Sequence, residues 1–314
     1  MEKKMKVIID MDIGDDIDDA IALYAAMRQE FDIIGITTVF RNTMDRARQT
    51  KKLLQAYGNG YESVPVYVGY GTPLGMKEQI YRHIPHYTPD LEQDIYTPNS
   101  TNPEDAVGFL IDACRTYGKD LTVIAIGPFT NLAKVIEKDA EALNLAARVA
   151  IMGGAFYKQY ADWNVMCDVT AADRVFRNLR NLECMGADVT HLTEAEGALY
   201  DNLLNYQGEE SGHVYLSQLC RLWRNDRPKV KLLLHDPLVI YYVAHGELCS
   251  MKDASVIVLT EGVAKGMTFN VDAYGKRVMN LDAYAGFDET HKARVAAAVD
   301  RDAFNAMILK DFCV

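Results

Sequence analysis

Six aspartates lie within ten residues near the start of the chain, in the string DMDIGDDIDD. They are Asp10, Asp12, Asp15, Asp16, Asp18 and Asp19. Carboxylates gathered in this way repel one another unless a positive charge compensates them. A hard cation relieves the repulsion, and calcium accepts several carboxylate oxygens in flexible geometry, whereas magnesium keeps more of its water. The cluster therefore predicts a metal site.

Some of these aspartates have an alternative explanation in the helix that follows them. Acidic residues at a helix N-terminus cap free amide groups and complement the helix dipole. Asp15 and Asp16 fit that role. Asp10 and Asp12 lie on the strand before the turn, where capping does not explain them, and Gly14 permits a tight backbone between strand and helix.

Three further polar clusters follow apolar runs that look like strand ends. The string IAIGPFTN (124–131) is a strand-to-helix turn, which is common on its own. The string IMGG is followed by ADWN, in which Asp162 and Asn164 could bind sugar hydroxyls. The run LLLHDP carries His235 next to Asp236, although a histidine after an apolar run is most often a packed core residue.

The elements that position these clusters alternate between strands and helices. The strand-like runs are Met5–Asp12, FDIIGITTVF, VPVYVGY, LTVIAIG, ARVAIMGG and ECMGADV, and the helical stretches begin at Asp18 and Asn131 or span Thr43–Tyr57, Glu104–Tyr117 and Ala171–Arg180. This alternation predicts an α/β fold with a mainly parallel, open, Rossmann-like sheet and flanking helices. Ligands of such sheets collect at the carboxyl ends of the strands, where the strand order reverses. We expect the polar clusters to meet there.

Two segments stand apart from this alternation. Pro73–Pro103 is rich in Tyr, Pro and His and is too long for an ordinary connection, so we expect a lid or specificity loop. Its histidines, His83 and His86, are expected at the surface. Leu199–Arg227 is predicted to be a helical insertion that flanks the site. The whole chain, 1–314, is interpreted as a single domain.

Charge and cysteine content restrict the partners and the compartment. The chain has 33 Lys and Arg residues and 44 Asp and Glu residues, and the resulting net charge of −11 disfavours binding to nucleic acid. The six scattered cysteines form no CxxC pair, which is typical of neither a zinc site nor a disulfide framework. The start of the chain lacks the apolar region of a signal peptide, and no later stretch could span a membrane. We therefore expect a soluble, cytoplasmic protein.

Taken in order, these clusters resemble the inosine-uridine nucleoside hydrolase family, whose pattern begins with DxDxGxDD-A and includes a late His-Asp. The matching strings are the aspartate cluster, GITTVFRN (35–42), VPVYVG (64–69), AIGPFTN, MGGAF, ADWN with Asp168 following, and HDP. Each string alone is weak, but their shared order and separations are specific. The resemblance covers nearly the whole chain.

The resemblance implies a calcium ion and a catalytic base. Asp12 would bind calcium and accept a proton from the metal-bound water. Asp19, the backbone carbonyl of Ile126 and Asp236 would complete the protein ligands. Asp10 would support these carboxylates from behind. Cleavage of a ribosyl C–N bond passes through an oxocarbenium-like cation, which nearby carboxylates stabilise.

The resemblance also implies how a nucleoside would be held. Asp18, Asn42 and Asn164 match positions that hydrogen-bond the ribose hydroxyls, and the metal ligand Asp236 lies beside them. Asp162 stands where the family has glutamate near the 5′-hydroxyl. His235 matches a histidine that helps protonate the departing base, help typically worth ~10²–10⁴-fold in rate. By analogy with the family we expect a homodimer or homotetramer.

The chain departs from the family pattern at several positions. Three residues separate Gly14 from the pair Asp18-Asp19, where the family has one, so Asp15 or Asp16 could replace one of the pair as a ligand. Asp162 is one methylene shorter than the family's glutamate. Arg41 replaces a family glycine before Asn42, and it could extend beside the pocket or into solvent.

Two other classes of function stay open. A haloacid dehalogenase-type phosphatase also places DxD after its first strand, with magnesium bound, but it leaves the DWN and HDP strings unexplained. A non-catalytic nucleoside-binding module could tolerate the departures, but retention of Asp12, Asp19, His235 and Asp236 argues against it.

Overall fold

The computed structural model describes residues 4–274, 288 and 290–313. Its strands are β1 (Lys6–Met11), β2 (Asp32–Thr38), β3 (Val66–Val68), β4 (Leu121–Ala125), β5 (Arg148–Met152), β6 (Leu182–Met185), β7 (Cys249–Ala254), β8 (Val256–Val258), β9 (Thr268–Asn270) and β10 (Ala293–Val299). Within the described residues, eight strands form one sheet in the order β3-β2-β1-β4-β5-β6-β10-β7, while β8 and β9 form a separate hairpin. Every neighbour in the large sheet is parallel except β10 with β7. The predicted mainly parallel α/β fold is confirmed.

The strand order reverses beside β1. Successive strands β2 and β3 extend the sheet on one side of β1, whereas β4, β5 and β6 extend it on the other. The carboxyl ends of β1 and β4 therefore meet where the two directions of the sheet diverge, and the Ile126 amide donates a hydrogen bond of 2.9 Å to the Asp10 carbonyl there. This is the position at which open parallel sheets bind ligands.

Alternating side chains of the strands fill two cores, one on each face of the sheet. Along β1, Val7 and Ile9 join one buried cluster and Ile8 joins the other. A strand buried on both faces must be apolar throughout, which explains the near-continuous apolar runs that mark β1, β4 and β5 in the sequence.

Helices cover both faces. They are α1 (Asp18–Arg28), α2 (Thr43–Tyr57), α3 (Pro103–Tyr117), α4 (Thr130–Lys138), α5 (Ala142–Leu145), α6 (Trp163–Cys167), α7 (Val169–Asn178), α8 (Ala187–Thr190), α9 (Gly197–Asn205), α10 (Ser211–Asp226), α11 (His235–Ala244), α12 (Val271–Tyr274) and α13 (Arg301–Phe312). The helical insertion predicted at Leu199–Arg227 corresponds to α9 and α10. None of the helices described is both long and apolar enough to cross a bilayer.

The segment between Pro73 and Pro103 lies across the loop that follows β1. The His86 amide donates to the Gly14 carbonyl at 3.4 Å, and a Cβ at Gly14 would lie 2.5 Å from Cδ1 of Ile84. Gly14 has a φ of 111°, so glycine suits both its conformation and this close approach. His83 is exposed as expected, but the surface prediction for His86 is wrong, because its side chain is buried under this segment.

Candidate active site

A cavity of about 440 Å³ opens at the carboxyl ends of β1, β4 and β5. Its walls bring together residues from all four sequence clusters. The lining residues are Asp12, Asp15, Asp16, Asp18, Asp19, Arg41, Pro85, Ile126, Met152, Tyr160, Asp162, Trp163, Asn164, His191, Arg227, His235 and Asp236. Of the predicted site residues, only Asn42 does not line this cavity.

Three buried carboxylates form the floor of the cavity. Oxygens of Asp18, Asp19 and Asp236 all lie within 4.8 Å of one another. Asp18 and Asp19 begin α1, and Asp236 lies in the first turn of α11, so the positive ends of two packed helices point toward the group. The Asp236 amide donates to Asp18 at 3.3 Å, and the Asp12 amide donates to Asp19 at 3.1 Å, which fixes both chain segments to the same floor.

Burial raises the pKa of these acids. It raises the pKa of Asp18, Asp19 and Asp236 well above the ordinary value, and mutual repulsion raises them further. Burial also raises the pKa of Asp12 to about 7, although the positive charge of Arg46 opposes this rise. The acids of the floor are therefore short of positive charge.

Asp15 and Asp16 are held apart from the floor by arginines. Asp15 accepts hydrogen bonds from Arg46 at 2.9 Å and from Arg41 at 3.2 Å, and Asp16 accepts one from Arg227 at 3.3 Å. Asp15, Asp16, Arg41 and Arg227 line the cavity, whereas Arg46 is buried behind it. The structure thus places Asp18 and Asp19 in the carboxylate group and gives the two preceding acids other partners.

The donor set fits a hard cation. Carboxylate and carbonyl oxygens are the ligands that calcium prefers, and a doubly charged ion would supply the missing positive charge. Arg46 does not fill this place, because its guanidinium donates to the backbone carbonyls of Asp12 and Ile13 and to the carboxylate of Asp15. Asp12 faces the same cavity, adjacent to the group of three.

The Ile126 carbonyl reaches the cavity from the end of β4. It accepts a hydrogen bond of 2.8 Å from the Asn164 amide, which also donates to the Met152 carbonyl at 3.2 Å. The next residue, Gly127, passes so close to Asp12 that a Cβ there would lie 2.9 Å from Asp12 Oδ1. Glycine in the IAIGPFTN string is therefore required by this close approach.

Asp162 and Asn42 both cap helices. The Asp162 carboxylate accepts from the Val165 amide at 3.2 Å at the start of α6 and also lines the cavity, where burial raises its pKa to about 6. The Asn42 oxygen accepts from the Asp45 amide at 3.1 Å, and its amide donates to the Asp45 carboxylate and to the Arg82 carbonyl. The predicted contact of Asn42 with ribose would require it to leave these partners.

Aromatic rings form one wall of the cavity. His235 lies edge-to-face with His191 at 5.3 Å between ring centroids, and Tyr160 lies edge-to-face with His191 at 5.1 Å. Nδ1 of His235 is 2.7 Å from the Thr190 hydroxyl. Burial, assisted by His191, lowers the pKa of His235 to about 4, so its imidazole is neutral at neutral pH.

Asp10 lies behind the floor and ties neighbouring strands together. Its Oδ1 accepts from the Thr37 hydroxyl at 2.5 Å and from the Asn131 amide at 2.7 Å. Asn131 also accepts from the Tyr70 amide at 2.8 Å, so it joins the loop after β3 to the centre of the sheet. The side-chain partners of Asp10 are thus Thr37 and Asn131, and its expected support of the metal-binding carboxylates stays a prediction.

Several lining residues escaped sequence reasoning. Tyr160, His191 and Arg227 carry no motif, and the fold alone brings them to the cavity. Trp163 was visible inside the ADWN string, but nothing marked it as a wall of the site. Arg46 is fully buried behind the cavity. Its place in the first turn of α2 was visible in the sequence, but nothing there indicated that it would be buried.

The fold is that of an α/β protein with an acidic cavity at the switch point of a Rossmann-like sheet, and the amide and carboxylate groups of the cavity have the chemistry to hold a cation and a hydroxyl-rich ligand. The chain matches the model of the inosine-uridine preferring nucleoside hydrolase family over residues 7–306, and it belongs to that family of metal-dependent hydrolases.

Known relatives of this family match the chain over most of its length. The chain is 29% identical to uridine nucleosidase 1 of Arabidopsis thaliana over 297 residues, covering 91% of this chain and 87% of the relative. It is 27% identical to the non-specific ribonucleoside hydrolase RihC of Salmonella agona, covering 99% of both chains. Among solved structures, a plant nucleoside hydrolase has a TM-score of 0.79 and 26% identity, with 99% of each chain covered. A purine-preferring ribonucleoside hydrolase from Gardnerella vaginalis has a TM-score of 0.75 and 25% identity, with 98% of each covered.

These comparisons identify the chain as an enzyme, a nucleoside hydrolase. They favour neither a phosphatase nor a non-catalytic binding module. The names of the relatives give different preferences: one is a uridine nucleosidase, and another is a purine-preferring ribonucleoside hydrolase.

Proposed function

We propose that this chain hydrolyses the N-glycosidic bond of ribonucleosides with the help of one calcium ion. Asp12, Asp19, Asp236 and the Ile126 carbonyl would hold the ion. The observation that carries this proposal is the buried group of carboxylates at the switch point, and membership of the nucleoside hydrolase family supports it. Asp18 shares the group, and we assign it to both the edge of the metal site and the ribose hydroxyls.

A calcium ion held there would lower the pKa of a coordinated water molecule and would help to orient the ribose diol. Asp12 lies beside the cavity floor and would accept the proton of the water. The water oxygen forms a bond to C1′ while the C1′–N bond breaks. The electron pair of the broken C1′–N bond passes to the base nitrogen. The carboxylates around the floor stabilise the positive charge that develops on the ribose ring.

The remaining polar residues would orient the sugar. Asn164 can turn its amide from the Ile126 carbonyl toward a ribose hydroxyl, and Asp162 lies beside it toward the 5′ end. Asp18 and Asp236 belong to the floor of the same cavity. Asn42 completes the set only if its side chain leaves the N-terminus of α2, so it is the least supported member.

His235 would assist the departing base as a neutral donor. Its neutral imidazole carries one N–H, and the contact with Thr190 decides which nitrogen carries it. If the threonine hydroxyl donates to Nδ1, Nε2–H is left to donate a hydrogen bond into the cavity. A neutral imidazole donates a hydrogen bond more readily than a full proton, so water or buffer would complete protonation of the base.

The experiment compares sugar release with phosphate release. Purified protein in calcium would be given uridine, inosine, cytidine and adenosine, and ribose would be measured as reducing sugar. A parallel series would give phosphate esters with magnesium. We expect ribose release that chelation abolishes and added calcium restores, and Asp236→Asn should remove it. Steady phosphate release without release of any base would overturn the proposal.

A matched control is available for that variant. Asp253 lies exposed on β7, outside the cavity, so Asp253→Asn makes the same chemical change far from the floor. It should leave ribose release unchanged. We further propose a single domain and a cytoplasmic location. We also propose a homodimeric or homotetrameric assembly, which size-exclusion chromatography with light scattering would test.

A further inference from the structure

A second cavity of about 320 Å³ adjoins the catalytic pocket. Arg41 and Trp163 line both cavities, so the two spaces adjoin at these side chains. Phe40, Met76 and Met166 contribute to the second cavity alone. We call this second cavity the annex. Its lining is mainly aromatic and thioether, although Met76 and Met166 are exposed.

Under the proposed function, the annex lies on the side of the catalytic pocket where Asp162 would meet the 5′ end of the ribose, because Trp163 lines both cavities. Trp163 directly follows Asp162, which stands where the family contacts the 5′-hydroxyl. Asp162 has a shorter side chain than the family's glutamate, which leaves more room beside that hydroxyl. Cys167 lines the annex and lies at the end of α6, the helix that Asp162 caps at its start.

The loop between the two cavities adopts an unusual backbone. Phe40 and Arg41 have φ values of 67° and 59°, in the left-handed region that favours glycine. Hydrogen bonds from their amides to the Tyr70 and Gly71 carbonyls, 2.9 and 2.7 Å long, hold this conformation. A strained conformation with large side chains at a cavity threshold points to a function for those side chains.

We propose that the annex binds an apolar substituent on the 5′ carbon of the nucleoside, such as an alkylthio group. This inference rests on the proposed function. Methionine and aromatic side chains make favourable contacts with thioether sulfur and alkyl carbon. A 5′-phosphate is disfavoured, because the adjoining cavity carries several aspartates and the Arg41 guanidinium is already paired with Asp15 at 3.2 Å.

The test is a substrate series that differs only at the 5′ position. Uridine and inosine would be compared with their 5′-deoxy-5′-methylthio, ethylthio and propylthio forms in the wild-type protein. Each added methylene should lower KM about fourfold, which corresponds to ~0.8 kcal/mol for each buried CH₂. The value of kcat should stay constant, because this contact is the same in the ground state and the transition state.

Two variants locate the effect. Met166→Glu places a charge in the annex, so it should abolish the dependence on chain length while the constants for the unsubstituted nucleosides stay within twofold. Leu145→Glu alters a similarly exposed apolar residue on α5 and should change neither series. A rise in KM with each methylene in the wild type, or an equal effect of Met166→Glu on both series, would overturn the annex proposal.

Failure of the annex and failure of the proposed function give different results. If unsubstituted nucleosides are hydrolysed and the alkylthio forms are not, only the annex proposal is wrong. If no nucleoside is hydrolysed, the proposed function is wrong. In that case calorimetric titration with the same series decides the annex separately, because affinity that rises with chain length supports it and constant affinity contradicts it.

Discussion

Replacing Arg46 with lysine tests whether the acidic loop is held by geometry or only by charge. The Arg46 side chain is fully buried and donates to four groups on two loops. Nε donates to the Phe40 carbonyl at 2.7 Å, and Nη2 donates to Asp15 at 2.9 Å. Nη1 donates to the Ile13 carbonyl at 2.8 Å and to the Asp12 carbonyl. One planar guanidinium therefore joins the loop after β1 to the loop after β2.

The magnitude follows from what lysine cannot reach. An ammonium group keeps the positive charge but has no fork, so it cannot bond both loops at once. A hydrogen bond that involves a charged group contributes ~1.5–3 kcal/mol, and at least two of them would be lost. We expect Arg46→Lys to lower the free energy of unfolding by about 3–6 kcal/mol, the loss of two such hydrogen bonds.

The same change should impair catalysis. The loop that Arg46 holds carries Asp12, and a displacement of about 1 Å at a catalytic group can cost ~100-fold in rate. Urea denaturation would give the free energy of unfolding, and ribose release would give kcat. Arg174→Lys is the matched control, because that arginine is partly exposed and contacts Glu137 and the Ala133 carbonyl. It should cost no more than about 1 kcal/mol.

Two results would refute the reasoning. If Arg46→Lys unfolds within about 1 kcal/mol of the wild type and keeps its kcat, charge alone suffices and the fork is irrelevant. If stability falls but kcat and the calcium requirement do not change, Arg46 supports the fold without positioning Asp12.

Three further predictions use the same purified protein. Calcium should raise the melting temperature of the wild type, and Asp12→Ala should show a smaller rise and no turnover, because binding to the folded state alone stabilises it. His235→Ala should lower kcat most for nucleosides whose base leaves poorly and least for a nitrophenyl riboside, with calcium binding unchanged. His86→Met should gain about 2 kcal/mol of stability relative to the wild type when the pH falls from 7.5 to 5 in calcium. Burial lowers the pKa of His86 from 6.5 to about 4. Between these two pH values the unfolded chain binds a proton at His86 and the folded chain does not, so the wild type loses stability as the pH falls and the methionine variant does not.

Each of these three has a contrary outcome. Equal thermal shifts with calcium in wild type and Asp12→Ala would remove Asp12 from the ion site. Equal losses on both substrates, with a lowered melting temperature, would make His235 a packing residue. A constant difference in stability between pH 7.5 and 5 would show that His86 does not carry the acid sensitivity.

The local sequence pattern was sufficient to predict most strands of the large sheet and the helices between them. The stretch from Thr43 to Tyr57 was predicted with the bounds that α2 has, because an N-terminal Asn42 cap and a C-terminal Gly58 frame a clear helical period. The strands after Met185 were not predicted. β10 joins the sheet beside β6 and β7 runs antiparallel to it, and nothing in their short alternating runs indicates either partner.

The acidic floor was also predictable, because its members lie at strand ends or helix starts that the fold must bring together. Its counter-charges were not. Arg46 and Arg227 reach the acidic loop from 31 and 211 residues along the chain from Asp15 and Asp16, and an arginine in a helix usually points to solvent. The surface expectation for His86 failed for the same reason, since burial depends on a segment packing that has no local pattern.

Two departures from the family pattern become one feature in three dimensions. The sequence showed extra residues between Gly14 and Asp18, and separately an arginine where the family has glycine. The structure joins them, because Arg41 pairs with Asp15 at 3.2 Å. An additional acid beside the carboxylate floor would increase the repulsion there unless a positive charge accompanied it. The energetic cost of the left-handed backbone at Arg41 is thus offset by the positive charge that its side chain supplies to the enlarged acidic loop. The same side chain lines the annex.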